Sequence, residues 1–289
     1  MSTHETRQFT IQSGVAELTV HAACSPGFPG PAGSPRVILL HGSGLSHVAF
    51  LRVGGRLSRR GIAWLAPDFA GSGDTAPASP DVDREIARRA LLAAGDDGAW
   101  IFGHSYGGAR ALGLALERPA GLAGLVLFEP AVVHVLRDTG DDAWPSVAAL
   151  VGTGLADRAA FEADPEAWVR TFVDFWSAPG DYDRLPPAER ARFLATAPTV
   201  FAEVQALMQS AVTVADYASL DLPASVWDGA RSPAAAHAIC RRVRLALRSQ
   251  GDLTLPGGHM TPFTHPDALC DALSQRLGLP AASTAASSA

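Results

Sequence analysis

The chain has 289 residues, 47% hydrophobic and 18% charged, with 23 Lys and Arg against 29 Asp and Glu for a net charge of −6. That balance excludes a disordered chain and a small disulfide scaffold, and it offers no basic face for nucleic acid or an acidic membrane surface. What remains is one or two folded domains with ample core material and a preference for small, neutral or moderately polar partners.

The N-terminal stretch from Met1 to Thr10 is polar and lacks the apolar run of a signal peptide. No stretch approaches the roughly 20 apolar residues of a membrane span, so a cytoplasmic chain is expected. Two strand-like runs, Phe9–Gln12 and Ala16–His21, flank Ser13-Gly14 and predict an opening hairpin. After a Pro- and Gly-rich loop, Val37-Ile38-Leu39-Leu40 reads as a strand buried on both faces, as parallel sheets require.

Strands and helices then alternate. A helix is expected around His47–Arg59, a strand at Ile62–Pro67, a helix around Asp81–Ala93 and a strand at Trp100–Gly103; a helix at Tyr106–Glu117 and a strand at Leu122–Phe128 follow. This succession predicts a doubly wound, mostly parallel α/β sheet over residues 1–130. Residues 131–220 carry helical periodicity and no strand signal. Trp168, Phe172, Phe175 and Trp176 fall at i, i+4, i+7 and i+8, with Asp164-Pro165 as N-cap and first helical residue. Alternation resumes over residues 221–280, with a strand at Ala224–Trp227, a helix at Ala234–Leu247, a strand at Leu253–Leu255 and a helix at Pro266–Leu277. The last residues, 281–289, contain only Ala, Ser and Thr and are expected to form a frayed tail. Cys24, Cys240 and Cys270 are too few and too scattered for a disulfide framework or a zinc site and read as small buried hydrophobes.

Three segments carry chemistry. Gly103-His104-Ser105-Tyr106-Gly107 has the form G-x-S-x-G, placed between an apolar strand and the small-residue helix start Gly108-Ala109. A serine on such a turn stands clear of the sheet at the positive end of a helix, where developing negative charge is favoured. Leu40-His41-Gly42-Ser43-Gly44 ends an earlier strand. Its glycines let the N–H of Ser43 or Gly44 join that of Tyr106 around an oxyanion, while His41 is expected only to brace the loop. Leu255-Pro256-Gly257-Gly258-His259 presents a histidine on a glycine turn, a suitable general base for Ser105. His265, before Pro266, reads as a helix cap.

With these elements in this order the chain resembles the α/β-hydrolase superfamily over nearly its whole length, and Asp68-Phe69-Ala70-Gly71-Ser72-Gly73 matches a further turn of that family. The resemblance implies an α/β-hydrolase fold with a helical cap insertion and a catalytic order Ser, acid, His. The acid position departs from the pattern: where the family usually has Gly-x-x-Asp, this chain reads Gly229-Ala230-Arg231-Ser232. Glu129, at the end of the strand after the nucleophile helix, and Asp228 are the two replacements, Glu129 being favoured. An alternative role for Glu129 is a helix cap or a pair with Arg137.

A serine nucleophile implies an acyl-enzyme, in contrast to the aspartate chemistry of epoxide hydrolases and haloalkane dehalogenases in the same superfamily. Nearly half of the aromatic residues fall in residues 131–220. Most are expected in the core of a cap, with Trp168, Phe172 and Trp176 as candidate pocket residues for a small hydrophobic ester-like substrate. The leading expectation is hydrolysis of a small ester, thioester or lactone without metal or cofactor. Carbon–carbon bond hydrolysis of a diketone would use the same residues, and a ligand-binding receptor with a slow hydrolase site is a reading of another class.

Overall fold

The computed structural model describes residues 4–14, 16–150 and 154–279; the expected tail at 281–289 lies outside them. The strands are β1 (Glu5–Ser13), β2 (Ala16–Cys24), β3 (Arg36–Leu40), β4 (Ala63–Pro67), β5 (Ala99–His104), β6 (Leu122–Phe128), β7 (Ala224–Gly229) and β8 (Thr254–Leu255). The helices before β7 are α1 (Leu51–Arg59), α2 (Asp83–Leu92), α3 (Tyr106–Leu116), α4 (His134–Asp138), α5 (Trp144–Leu150), α6 (Arg158–Ala163), α7 (Pro165–Trp176), α8 (Asp181–Arg184), α9 (Pro187–Met208) and α10 (Val214–Ala218). After β7 come α11 (Ala234–Leu247), α12 (Thr261–Thr264) and α13 (Pro266–Arg276).

The strands form one sheet in the order β1-β2-β4-β3-β5-β6-β7-β8. β1, β2 and β4 pair antiparallel, and every pair from β4 through β3 to β8 is parallel. The continuous apolar runs follow from burial on both faces. Ile38, Leu40, Ile101, Leu125 and Leu127 enter one core with Ile86, Leu112 and Ile239 of the covering helices. Val37, Leu39, Phe102, Val126 and Phe128 enter the other with Leu57, Leu269 and Leu273. The alternation of successive side chains across a strand makes this division.

The doubly wound sheet expected from the sequence is present. The opening hairpin is longer than its apolar runs, because the register pairs polar residues out to Glu5 and Cys24. The helix expected from Asp81 is preceded by a 3₁₀ turn at Pro80–Val82, capped by Ser79, whose hydroxyl accepts from the Asp81 N–H. Asp164 caps α7 by accepting from the Ala167 N–H at 2.9 Å. His265 occupies the N-cap position of α13, but its side chain makes no capping hydrogen bond; Nδ1 lies 2.9 Å from Thr264 Oγ1. Between β6 and β7 the described chain is helical. No helix among the described residues is long and apolar enough to cross a membrane.

Candidate active site

The chain passes from β5 into α3 through Ser105, held at φ 53° and ψ −117°. A non-glycine residue in that region stores about 1–3 kcal/mol of backbone strain and persists only where the surroundings fix it. Three contacts do so. The Ser105 N–H donates to the Phe128 carbonyl at 3.0 Å, and the Ser105 carbonyl accepts from Gly108 at 2.9 Å and from Ala131 at 3.0 Å. Glycine is required beside it: a Cβ on Gly103 would stand 2.6 Å from Gly108 Cα, and one on Gly107 would run into the Leu40 carbonyl.

Neighbouring parallel strands deliver the other groups at their carboxyl ends, as expected for an open α/β sheet. His259 follows β8 and lies against Glu129, which follows β6, with Nδ1 to Oε2 at 2.7 Å. Glu129 is also in left-handed backbone, at φ 45°, and its N–H donates to the Trp227 carbonyl at 3.0 Å. Its second oxygen, Oε1, accepts from the Gly229 N–H at 2.7 Å and from the Ser232 hydroxyl. Ser232 thus stands where the family pattern has aspartate and donates to the carboxylate that faces His259. Arg137, the other candidate partner for Glu129, pairs with Asp138 instead.

Asp228 points elsewhere. Its Oδ1 accepts from Thr254 Oγ1 at 2.6 Å, and its Oδ2 lies 3.1 Å from both His237 Nδ1 and Arg244 Nη2.

Its Nδ1 engaged by Glu129, His259 lines a cavity of about 740 Å³ that Ser105 also lines. Two rings fix the imidazole. The Trp176 indole stacks on it, with centroids 4.6 Å apart and planes at 19°, and His104 lies 4.7 Å away on centroids. His104 Nε2–H donates to the His259 carbonyl at 2.9 Å, and burial holds the His104 pKa well below the ordinary histidine value. It is therefore neutral and adds no charge beside His259.

The loop after β3 faces the turn at Ser105. His41 is fully buried, and its Nε2 accepts the Phe69 N–H at 3.1 Å, so its Nδ1–H donates to the Gly42 carbonyl at 2.9 Å. Both nitrogens are used and burial lowers its pKa, which makes His41 a neutral brace. Gly44 has φ 69°, and the Leu45 N–H closes the turn on the Gly42 carbonyl at 3.2 Å. Tyr106 opens α3, where a backbone N–H has no intrahelical acceptor.

Several residues here lay outside the sequence-based set. Arg192 of α9 donates to the Gly44 carbonyl, and Phe193, Thr196 and Val200 close on Gly44. Glu203, on the same helix, is 1% exposed, and burial pushes its pKa up to about 8 against the opposing influence of the Ser43 hydroxyl. Beneath it the Tyr106 hydroxyl donates to Asp83 at 2.6 Å, and burial raises the Asp83 pKa to about 6. The available signal was a glutamate within the apolar stripe Val200, Phe201 and Val204. Ser232 offered only its unusual identity.

Of the three aromatic residues expected at a pocket, Phe172 and Trp176 line the cavity. Trp168 does not. It stacks on Phe172, meets Phe161 and Phe201 edge-on and donates from Nε1 to the Leu155 carbonyl, so it packs the helical segment itself. Among the described residues, no group of three or more His, Cys, Asp or Glu side chains is placed to hold a metal ion.

Comparison with known proteins agrees with this architecture. Lipase LipV of Mycobacterium tuberculosis is 39% identical over 106 residues, covering 36% of this chain and 40% of that protein. Pimeloyl-[acyl-carrier protein] methyl ester esterase of Aromatoleum aromaticum is 36% identical over 141 residues, 48% of this chain and 54% of that protein. The chain thus matches about half or less of the length of these curated relatives. The crystal structure of a bromoperoxidase from Bacillus anthracis superposes with a TM-score of 0.67 at 15% identity, over 94% of this chain and 100% of that one, and shares the fold. The profile of the alpha/beta hydrolase family matches residues 37–272. The chain belongs to the alpha/beta hydrolase family.

Proposed function

We propose that this protein is a serine hydrolase of small carboxylic esters acting through an acyl-enzyme. The observation that carries the reading is the Glu129–His259 hydrogen bond of 2.7 Å at a cavity that Ser105 shares. Ser105 Oγ attacks the ester carbonyl as His259 Nε2 takes its proton. The Glu129 carboxylate holds the Nδ1–H tautomer and stabilises the imidazolium that forms. The oxyanion is received by the N–H of Tyr106 with that of Ser43 or Gly44, each such donor being worth on the order of 3 kcal/mol in the transition state. His259 returns the proton to the departing alcohol, and water then cleaves the acyl-enzyme with His259 again as base.

The helical segment over residues 131–220 acts as a cap. Phe172 and Trp176 come from it, and their apolar faces favour a hydrophobic substrate and exclude bulk water. The names of the curated relatives, a lipase and a methyl ester esterase, support ester chemistry.

The test is a fluorophosphonate probe together with nitrophenyl butyrate hydrolysis. Labelling and turnover in the wild type, both lost in Ser105→Ala, are expected. A folded wild-type protein that neither labels nor turns over would remove the enzyme reading in favour of a binding protein.

A further inference from the structure

Two compartments meet at Ser105, and only one of them contains His259. The large one, about 740 Å³, is lined by His259 and the apolar Leu45, Leu185 and Phe193, with the charged Arg192 and Arg231 also on its wall. The second is a lobe of about 40 Å³ that shares Ser43 and Ser105 with the first and is walled by Val133, Val147, Leu155, Phe175, Leu207 and Met208. Phe172 and Trp176 border both.

Acyl transfer assigns a different part of the substrate to each compartment. In the tetrahedral intermediate the former carbonyl carbon carries Ser105 Oγ, the oxyanion, the departing alkoxide and the acyl chain. The C–O bond to the alkoxide breaks as that oxygen takes a proton from His259, so the alkoxide must lie on the side lined by His259. The oxyanion faces the loop of Ser43 and Gly44. The acyl chain is left the compartment that His259 does not line, which is the small lobe.

Size then sets the substrate class. By the same measure the lobe has about one-twentieth of the room of the large compartment, so it takes only a short chain. Among the described residues its side-chain walls are apolar apart from Ser43 and Ser105, so they give no partner to a polar or charged acyl terminus.

Resting on the ester-hydrolase reading above, we propose that the enzyme is selective for short unbranched acyl groups, acetyl to butyryl, esterified to large hydrophobic alcohols. This is the reverse of the partition in a pimeloyl methyl ester, with its long acyl chain and one-carbon alcohol.

The experiment compares two series on the full chain: nitrophenyl acetate, butyrate, hexanoate and octanoate, and the acetates of methanol, butanol and octanol. kcat/KM is expected to fall at least tenfold from butyrate to octanoate, and to rise at least tenfold from methyl to octyl acetate. Met208→Ala or Val147→Ala, which lengthen the lobe, are expected to raise the hexanoate-to-butyrate ratio at least fivefold. The proposal is overturned by octanoate being turned over as well as butyrate in the wild type, or by methyl acetate matching octyl acetate. Absence of turnover in every member of both series, with no fluorophosphonate labelling of Ser105, would overturn the ester reading itself and this assignment with it.

Discussion

Replacing Glu129 by Gln tests the proposed acid at constant shape. Glu129 Oε1 sits between two donors, the Ser232 hydroxyl and the Gly229 N–H, and the latter is fixed in the backbone at 2.7 Å. In Glu129→Gln the amide oxygen must take that place, because an NH₂ there would oppose the Gly229 N–H. The NH₂ then faces His259 Nδ1, where Oε2 now lies at 2.7 Å. Nδ1 is forced to accept, the ring proton moves to Nε2, and the base loses the lone pair that Ser105 needs. A wrong tautomer in such a triad costs on the order of 10⁴-fold in kcat, or about 5.5 kcal/mol of transition-state stabilisation. Asp228→Asn should behave differently, because Asp228 is bonded to Thr254, His237 and Arg244. It should lower stability by about 1–3 kcal/mol and change kcat/KM by less than about threefold. The assay is kcat and KM on nitrophenyl butyrate with a urea melt for each variant. If Asp228→Asn lost the activity and Glu129→Gln kept it, the assignment of the acid would be refuted.

Three further outcomes follow from the same geometry. Ser232→Ala removes a hydrogen bond to a carboxylate, worth about 1.5–3 kcal/mol, and should lower kcat roughly 10- to 100-fold with little change in KM. Ser232→Asp, which sets a second carboxylate against Glu129, should be worse, and equal kinetics for the two variants would contradict the contact. Glu203 keeps its proton to about pH 8 when folded but releases it near 4.5 when unfolded, so the native state binds more protons and stability falls as pH rises through that window. Asp83, raised to about 6, adds the same sign at lower pH. Glu203→Gln should therefore gain stability over the wild type between pH 5 and 8, by at most roughly 5 kcal/mol at about 1.4 kcal/mol per pKa unit; a pH-independent difference in urea melts would count against the buried carboxyl. Both Ser105→Gly and Ser105→Ala should be inactive, but glycine alone relieves the φ of 53° and should be the more stable by about 1 kcal/mol in thermal melts.

The order of strands and helices, the turn at Ser105, the glycine loop at Gly42–Gly44 and the histidine at 259 were all legible along the chain. Each is a local pattern: a run buried on both faces, glycines where a Cβ would collide, a polar residue at the end of an apolar strand. Glu129 was legible only in part. Its position at the end of β6 made it a candidate, but its left-handed backbone and its bond to His259, 130 residues away, have no local trace. Ser232 looked like a missing acid and is a donor to Glu129. Trp168 and Trp176 shared one periodic stripe, and periodicity does not say which end of α7 reaches the cavity.

The sequence by itself therefore determined the sheet, its winding and the two turns that carry Ser105 and His259, because short-range sterics and the twofold alternation of strands are written residue by residue. Tertiary structure decided which carboxylate meets His259, which aromatic side chains reach the cavity, and how Arg192 and Glu203 of α9 come against the Ser43–Gly44 loop. Those contacts join residues far apart in the chain. Their geometry depends on how neighbouring strands register and on how the helical segment lies across them, and neither is encoded in any single stretch.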